Sequence, residues 1–306
     1  MNILIIGASG YVGRYLSDFL LENKHHVTVS SRNVAFSSKL LGKRMEYVEW
    51  DGKDASMLAP ALENMDAVIN LAGVSLASGR WTPGKKKKFF ESRVNTGEAV
   101  TEAFRISGNW PQVLIQASAS GIYGPDANVA AGERRQTGQG YLADLCILWE
   151  NSVKPLEDLG VRVAYLRTGP ILGPHSPFLK NLLLPFRFGM GLILGSGNQW
   201  LSWIHILDVI GAIRFLLENP NTKGPFNLTA PEPVTLSQFT KTIAKIRRQP
   251  AWVYVPSFLL KLILGEMADE TILASQDVLP EALLDAGYAF RFPDIDLALL
   301  DLLKKK

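Results

Sequence analysis

Residues 2–13 read NILIIGASGYVG: a short apolar run, glycines at 7, 10 and 13, and the start of an amphipathic stretch that reaches Asn23. No other feature constrains the fold as tightly. Gly7 permits the tight turn that ends a strand, Gly10 lets the backbone approach a pyrophosphate, and Gly13 lets the next helix pack on the strand. A helix beginning there turns unpaired N–H groups and a partial positive charge toward the phosphates. The strand, glycine turn and helix together predict a dinucleotide site, with Gly7, Ser9, Gly10, Tyr11, Val12 and Gly13 around it.

The alternation continues. HVTVSS (26–31), MEYVEW (45–50), AVINLAG (67–73), QVLIQASAS (112–120) and VRVAYLR (161–167) read as strands. Helical patterns run from about Lys86 to Ser107 and from Gly140 to Asp158. Strands alternating with helices at this spacing predict an α/β fold with a doubly wound parallel Rossmann sheet. Beyond Arg167 the rhythm breaks. Pro and Gly cluster between 169 and 197, HILDVIGAIRFLLEN reads as a helix and GPFNLTA as a short strand. The last seventy or so residues are mostly helical, with Thr235 placed to cap one helix and WVYVP as a brief strand. The expected division is a Rossmann domain from 1–168 and 206–228, and a smaller, mostly helical domain from 169–205 and 229–306.

Bulk properties exclude several classes. The 306-residue chain has a net charge of only +3, too little to argue for nucleic acid. The lone Cys146 forbids an internal disulfide and fits a reducing compartment. The opening apolar run has no basic region before it and reads as a strand, not a signal peptide. FLKNLLLPFRFGMGLILG (178–195) carries Lys180, Arg187, a proline and glycines, a poor membrane span. The expectation is a cytoplasmic protein without stable membrane insertion, and a homodimer is left open. The four histidines show no metal-ligand spacing, so no metal is expected.

The end of the second strand selects the dinucleotide. NAD enzymes place a carboxylate there for the ribose hydroxyl, whereas this chain has Ser30, Ser31 and Arg32. A guanidinium can bind a 2′-phosphate that a carboxylate would repel. NADP(H) is therefore the expected cofactor, against the plainer reading of Arg32 as a solvated loop cation.

Taken together, GASGYVG, NLAG (70–73), RWT (80–82), SRVNTGEAV (92–100), SASGIYG (118–124), YLADLCILWE (141–150), LRTGPILGP (166–174), GNQWLSWIHILDV (197–209) and FNLTAPEPVTLSQF (226–239) resemble the extended short-chain dehydrogenase/reductases. Within these, the chain is similar to the sugar-nucleotide-epimerase-like "epimerase family proteins", over nearly its whole length. The resemblance implies that Asp51 faces the adenine, that Asn70, Leu71, Ala72 and Gly73 line the adenosine ribose, and that Ser118 to Ser120 border the nicotinamide. Asn95 and Ala117 complete the expected cofactor set.

One departure stands out. Enzymes of this class set Tyr and Lys four residues apart on one helical face, where the ammonium favours the phenolate. Here Tyr141 is followed at that spacing by Leu145. An unperturbed tyrosine is ionised to only about one part in a thousand at pH 7, a deficit of about 4 kcal/mol in available base. Tyr141 is thus either a weakened catalytic residue or an aromatic wall. Ser118 and Ser120 flank Ala119, which holds the usual Ser/Thr position. Either serine could bond a substrate oxygen, and either could equally bond backbone.

Among the remaining candidates, Tyr123, Gln199, Trp203 and His205 are expected at the substrate cleft, Asp208 reads as structural, and Arg93 as structural more than catalytic. The four lysines of KKKKFF (85–90) read as a solvated helix face. Residues 178–194 are rich in Leu, Phe and Met without an evident arginine pair for a diphosphate, which favours a less polar ligand or a partner surface over UDP-sugars. The resulting expectation is an NADP(H)-binding, epimerase-like oxidoreductase whose substrate the sequence does not specify, using Ser118, Ser120 and Tyr141. The rival is a non-catalytic NADP(H)-binding redox-sensing regulator, since relatives of this kind are linked by name to cell or plastid division.

Overall fold

The computed structural model describes residues 1–77 and 79–304, with 127–129 as backbone only. Seven strands form one parallel sheet: β1 (Asn2–Ile6), β2 (His26–Ser31), β3 (Glu46–Glu49), β4 (Ala67–Asn70), β5 (Val113–Ala119), β6 (Arg162–Thr168) and β7 (Gly224–Leu228). Their spatial order is β7-β6-β5-β4-β1-β2-β3. The order reverses at β1, whose two neighbours are β2 and β4, with Ile3 opposite both Val27 and Ala67. In open sheets of this kind the crevice outside the carboxyl ends at the reversal is where ligands bind.

The expected doubly wound sheet is therefore present, and the side chains of β1 show why. Ile3 and Ile5 pack against Leu16 and Leu20 of α1 (Tyr11–Glu22) and Val209 and Ile213 of α9 (Ile206–Glu218). Leu4 and Ile6 turn to the other face, where α3 (Ala55–Leu62) supplies Leu58 and Leu62 and α5 (Thr96–Ser107) supplies Val100 and Phe104. A strand buried on both faces needs an unbroken apolar run. Each large aliphatic side chain buried this way contributes roughly 1.5–3 kcal/mol.

The other helices are α2 (Val34–Leu41), α4 (Pro83–Phe90), α6 (Tyr141–Val153), α7 (Pro155–Asp158), α8 (Pro177–Leu183), α10 (Leu236–Arg247), α11 (Ser257–Leu264), α12 (Glu281–Asp285) and α13 (Ile295–Leu303). The helix read from 86 to 107 starts earlier and is interrupted by a π turn at Glu91–Asn95. The helix read from 140 to 158 ends as α6 at Val153, and α7 begins at Pro155, which lacks an N–H to continue the ladder. The cap at Thr235 forms a full capping box: its hydroxyl accepts from Gln238 N at 3.2 Å, and Gln238 Oε1 accepts from Thr235 N at 2.8 Å.

A third core lies beyond the sheet, built from Leu172, Leu179, Phe186, Trp203, Phe239, Ile243, Phe292, Ile295 and Leu299. Short strand pairs knit this region together: Ile171–Leu172 with Ile204–His205, Leu192–Leu194 with Val253–Val255, and Trp200–Leu201 with Val234–Thr235. A fourth pair, Asp126–Ala131 with Ser275–Val278, ties the β5–β6 connection to the C-terminal region. The expected second domain runs to residue 306, and its last two residues lie outside those described.

Candidate functional site

The glycine loop closes the carboxyl end of β1. Gly7 has φ 84°, and a Cβ on it would stand 2.8 Å from the backbone of Leu71 at the end of β4. Gly13 is equally constrained, since a Cβ there would meet Ala8 Cα and Gly7 O at 2.6 Å. Both glycines are dictated by backbone approach, so the loop is held tightly against the β1/β4 crevice. Gly10 caps α1 without a side-chain hydrogen bond, and the first turn carries no acidic residue. The positive end of a 12-residue helix therefore faces the crevice with its N–H groups open to an anion. Ser9 and Gly10 are exposed, while Tyr11 and Val12 are half-buried. The Tyr11 hydroxyl donates to Pro174 O at 3.0 Å, so its tip ties α1 to the loop before α8.

At the end of β2, the Ser31 hydroxyl bonds that of Ser37 at 2.7 Å and accepts from Asn33 N at 3.1 Å. Asn33 in turn caps α2, accepting from Phe36 N at 2.9 Å. Arg32 is exposed beside this turn and pairs with no carboxylate among the described residues. Asp51 is exposed but folds back on its own turn, accepting from Lys53 N and Asp54 N at 2.8 Å each. Those bonds, Asp54 N–H first, hold its carboxyl below the usual range.

Asn70 lies at the end of β4. Its side chain is fully buried, donating to Gln116 Oε1 at 2.9 Å and accepting from Ala72 N at 3.1 Å. It supports the turn that follows β4. Leu71 and Ala72 are half-buried, and Gly73 is the open position of that turn. Asn95 is half-buried in the π turn, with no hydrogen bond from its amide among the described residues. Ala117 is half-buried on β5, and its carbonyl accepts from Gln116 Nε2.

The two serines take part in an internal network. Ser118 is buried, and its hydroxyl donates to Glu150 Oε1 at 2.7 Å. Glu150 is held by Arg167 through both oxygens at 2.9 Å, and Arg167 donates to the Tyr123 hydroxyl at 3.0 Å. Tyr123 donates to Asn227 Oδ1 at 2.8 Å, and Asn227 N donates to Glu133 Oε1 at 2.7 Å. Burial pulls the Arg167 guanidinium down, but the bonds and charge of Glu150 more than reverse this. Burial first, with the Glu133 charge adding to it, pushes Tyr123 up against the lowering effect of Arg167 and Asn227. Ser120 is buried too, donating to Gln276 Oε1 at 3.0 Å. Both hydroxyls are committed to a network that joins β5, β6 and β7 to the C-terminal region. No hydrogen bond links either serine to Tyr141 among the described residues.

Tyr141 stands apart from that network, at the start of α6. Its ring lies 5.3 Å from that of Trp81, and Lys86 Nζ sits 4.3 Å above it. Its hydroxyl donates to the Lys86 carbonyl oxygen at 3.3 Å. Burial raises its pKa, and the nearby Arg93 charge reverses only part of this. Leu145 is buried among Trp81, Phe89, Val94, Leu142 and Met267, so this face of α6 provides no cation. Glu270 caps α6 from the C-terminal region, accepting from Tyr141 N at 3.0 Å and Leu142 N at 3.1 Å. Cys146 is buried, and burial pushes its thiol up to about 12, which removes it as a nucleophile.

The four residues expected at the cleft are interior. Tyr123 belongs to the network above. Gln199 donates from Nε2 to the Leu194 and Ile272 carbonyls. Trp203 is 0% exposed, deep in the third core. His205 caps α9 by accepting from Leu207 N at 3.2 Å, its ring lies 3.9 Å from that of Phe292, and Nε2 lies 3.5 Å from Asp301 Oδ2. Asp208 is structural as expected, accepting from Arg291 N and Phe292 N at 2.7 and 2.9 Å. Sequence reasoning passed over Glu150, Arg167 and Glu270 and set Arg93 aside. The partners of Glu150, Arg167 and Glu270 lie 17 to 129 residues away, and no local pattern marks them. No group of three or more His, Cys, Asp or Glu able to hold a metal occurs among the described residues.

Residues 3–229 match the model of the NAD dependent epimerase/dehydratase family, and residues 255–302 match that of a domain of unknown function. An epimerase family protein of Bacillus subtilis, YfhF, is 38% identical over 304 residues, 99% of this chain and 98% of its own. The crystal structure of the human epimerase family protein SDR39U1 with NADPH is similar over 100% of both chains, at 27% identity and a TM-score of 0.89. A Thermus thermophilus UDP-glucose 4-epimerase solved with NAD shares the fold over 98% of both chains, at 18% identity and a TM-score of 0.76.

Proposed function

Because this chain belongs to the NAD dependent epimerase/dehydratase family, we propose that it binds NADP(H) across the β1/β4 crevice and is an oxidoreductase-like member with an impaired tyrosine mechanism. The observation that carries the reading is the open N-terminus of α1, brought to the crevice by Gly7 and Gly13. The human relative solved with NADPH supports the choice of nucleotide. When bound, the nicotinamide supplies two-electron hydride chemistry. The chain's own residues do the rest. The α1 N–H groups would hold the pyrophosphate, Arg32 would pair with the 2′-phosphate, and the Leu71–Gly73 turn would border the dinucleotide. Tyr141 and Trp81 form an aromatic wall. Ser118, through Glu150 and Arg167, stiffens the end of β5 and does not move a proton. The division into a Rossmann domain (1–168 and 206–228) and a smaller domain (169–205 and 229–306) belongs to the same proposal, as does a cytoplasmic setting in which Cys146 stays reduced.

One observation favours the second reading, a redox-sensing NADP(H) binder without turnover: the Tyr141 hydroxyl is committed to a backbone carbonyl, with Leu145 where a lysine would be. Turnover decides between the two. NADPH oxidation followed at 340 nm with a panel of ketones, aldehydes and enones would establish the enzyme. Tight NADPH binding with no oxidation across the panel would establish the binder.

A further inference from the structure

Arg93 lies on the π turn Glu91–Asn95 and is only 8% exposed. A buried guanidinium is costly unless its donors and its charge are matched. Here neither is. No carboxylate pairs with it among the described residues, where the ionisable groups that act on it are Cys146 and Tyr141. Nη1 makes two long bonds, 3.4 Å each, to Phe89 O and Ser92 Oγ. Nε and Nη2 make none among the described residues. They are also absent from the fully buried polar atoms that lack a partner, so they keep some contact with solvent. One face of the guanidinium rests 5.0 Å from the Trp149 ring. The guanidinium also passes Gly73 so closely that a Cβ there would stand 3.2 Å from Cζ and 3.3 Å from Nη2. The arginine is thus packed against both an indole ring and an exposed glycine, and its Nε and Nη2 donors are without a hydrogen bond among the described residues. π turns recur at functional sites because they redirect a side chain at the expense of helix stability.

Its place in the crevice narrows the anion it serves. The pyrophosphate has the α1 terminus, and Arg32 lies at the end of β2, on the far side of β1 from β4. Arg93 is on the β4 side, within electrostatic reach of Tyr141 and Cys146. Burial depresses its pKa, but from so high a value that it stays charged in water's ordinary range.

We propose that Arg93 anchors the carboxylate or phosphate group of the substrate at the exposed backbone of Gly73. That the oxyanion belongs to a substrate rests on the NADP(H)-dependent oxidoreductase reading proposed above; that Arg93 binds an oxyanion does not. A planar guanidinium with two free donors suits bidentate contact with either group.

The test is a calorimetric titration of the protein, with and without saturating NADPH, using inorganic phosphate and separately acetate. Wild type should bind at least one of them saturably. Arg93→Met keeps length and contact with Trp149 but not charge, and should weaken that binding by at least about tenfold, the scale for losing a charge-assisted hydrogen bond. Its NADPH affinity should stay within about twofold. Arg93→Lys retains the charge and should keep part of the anion affinity, which covers the case of a poorly folded Arg93→Met. Unchanged anion binding in Arg93→Met, or no saturable binding in wild type, would overturn the proposal. So would loss of binding on Arg247→Ala instead, because Lys180, Arg187 and Arg247 line a separate depression of about 270 Å³. An equal fall in NADPH affinity would make the anion the cofactor's and overturn the assignment to substrate. Phosphate binding through Arg93 in a protein that ignores NADPH would leave the anion site standing and defeat the cofactor reading.

Discussion

The Tyr141 hydroxyl donates to the main-chain carbonyl of Lys86, while the Lys86 ammonium lies over the Tyr141 ring and pairs with Glu266 at 2.6 Å. Each polar end of this pair is occupied by something other than a reaction. A phenol that donates to a carbonyl is stabilised in its neutral form, the opposite of what a general base requires. Interconversion of UDP-glucose and UDP-galactose should therefore be absent, and Tyr141→Phe should leave NADPH affinity within about twofold, a change smaller than one ordinary hydrogen bond. Turnover that Tyr141→Phe abolishes, with a base well below pH 10, would show that the hydroxyl leaves Lys86 during the reaction.

Restoring the missing lysine should damage the protein. Leu145→Lys places an ammonium among Trp81, Phe89, Val94, Leu142 and Met267. Either the charge is desolvated or the helix shifts to expose it, and we expect a loss of about 2–4 kcal/mol in urea unfolding. Leu145→Met, which conserves volume, should cost less than about 1.5 kcal/mol. Equal, small losses in the two variants would mean that this face of α6 opens readily.

The Ser118–Glu150–Arg167 chain makes a different prediction. Arg167 has 9% of its side chain exposed and Glu150 has 13%. Glu150→Ala leaves a buried guanidinium without its partner and should cost about 3–5 kcal/mol. Removing both charges with Glu150→Leu and Arg167→Met should cost less than Glu150→Ala alone, because no orphan charge remains. Additive losses in the double variant would refute the pairing as the source of the cost.

These contrasts show what the sequence could and could not reveal. The glycine loop was legible because its chemistry is local: strand, turn and helix are contiguous, and each glycine answers to a backbone atom a few residues away or across one strand. The seven-stranded sheet was legible from apolar runs. The short strands at 126–131 and 275–278 were not, because neither makes sense without the other. The hydrogen bonds of Ser118 and Ser120 were not legible, because their partners lie 32 and 156 residues on. His205 and Trp203 looked like cleft residues because the fold of Phe292 and α13 over them leaves no trace in their own segment. Arg93 resembles any helical arginine in sequence; that no carboxylate pairs with it among the described residues is visible only in the fold.

His205 gives a pH dependence. Burial, followed by the opposing charge of Asp301 and the like charge of Arg291, leaves its pKa lowered to about 4. Nδ1 accepts from Leu207 N, so the folded state requires a neutral ring. The unfolded chain binds a proton near pH 6.5 and the folded chain does not until about pH 4. The histidine's contribution to stability is therefore present above pH 6.5 and is lost as pH falls toward 4. Against His205→Asn, which can still cap α9, wild type should lose melting temperature faster between pH 7 and pH 4.5. The comparison cancels Asp208 and Glu133, whose burial raises their pKa values in both proteins. Parallel curves would remove His205 as the cause.

The central claim, an NADP(H) site spanning the α1 terminus and Arg32, is tested most directly by calorimetric titration of wild type and Arg32→Ala with NADPH and NADH. Wild type should bind NADPH more tightly than NADH. Arg32→Ala should lose about 1–3 kcal/mol toward NADPH, the worth of one charge-assisted contact, and almost nothing toward NADH. Equal losses for both nucleotides, or a wild-type protein that binds neither, would contradict the account.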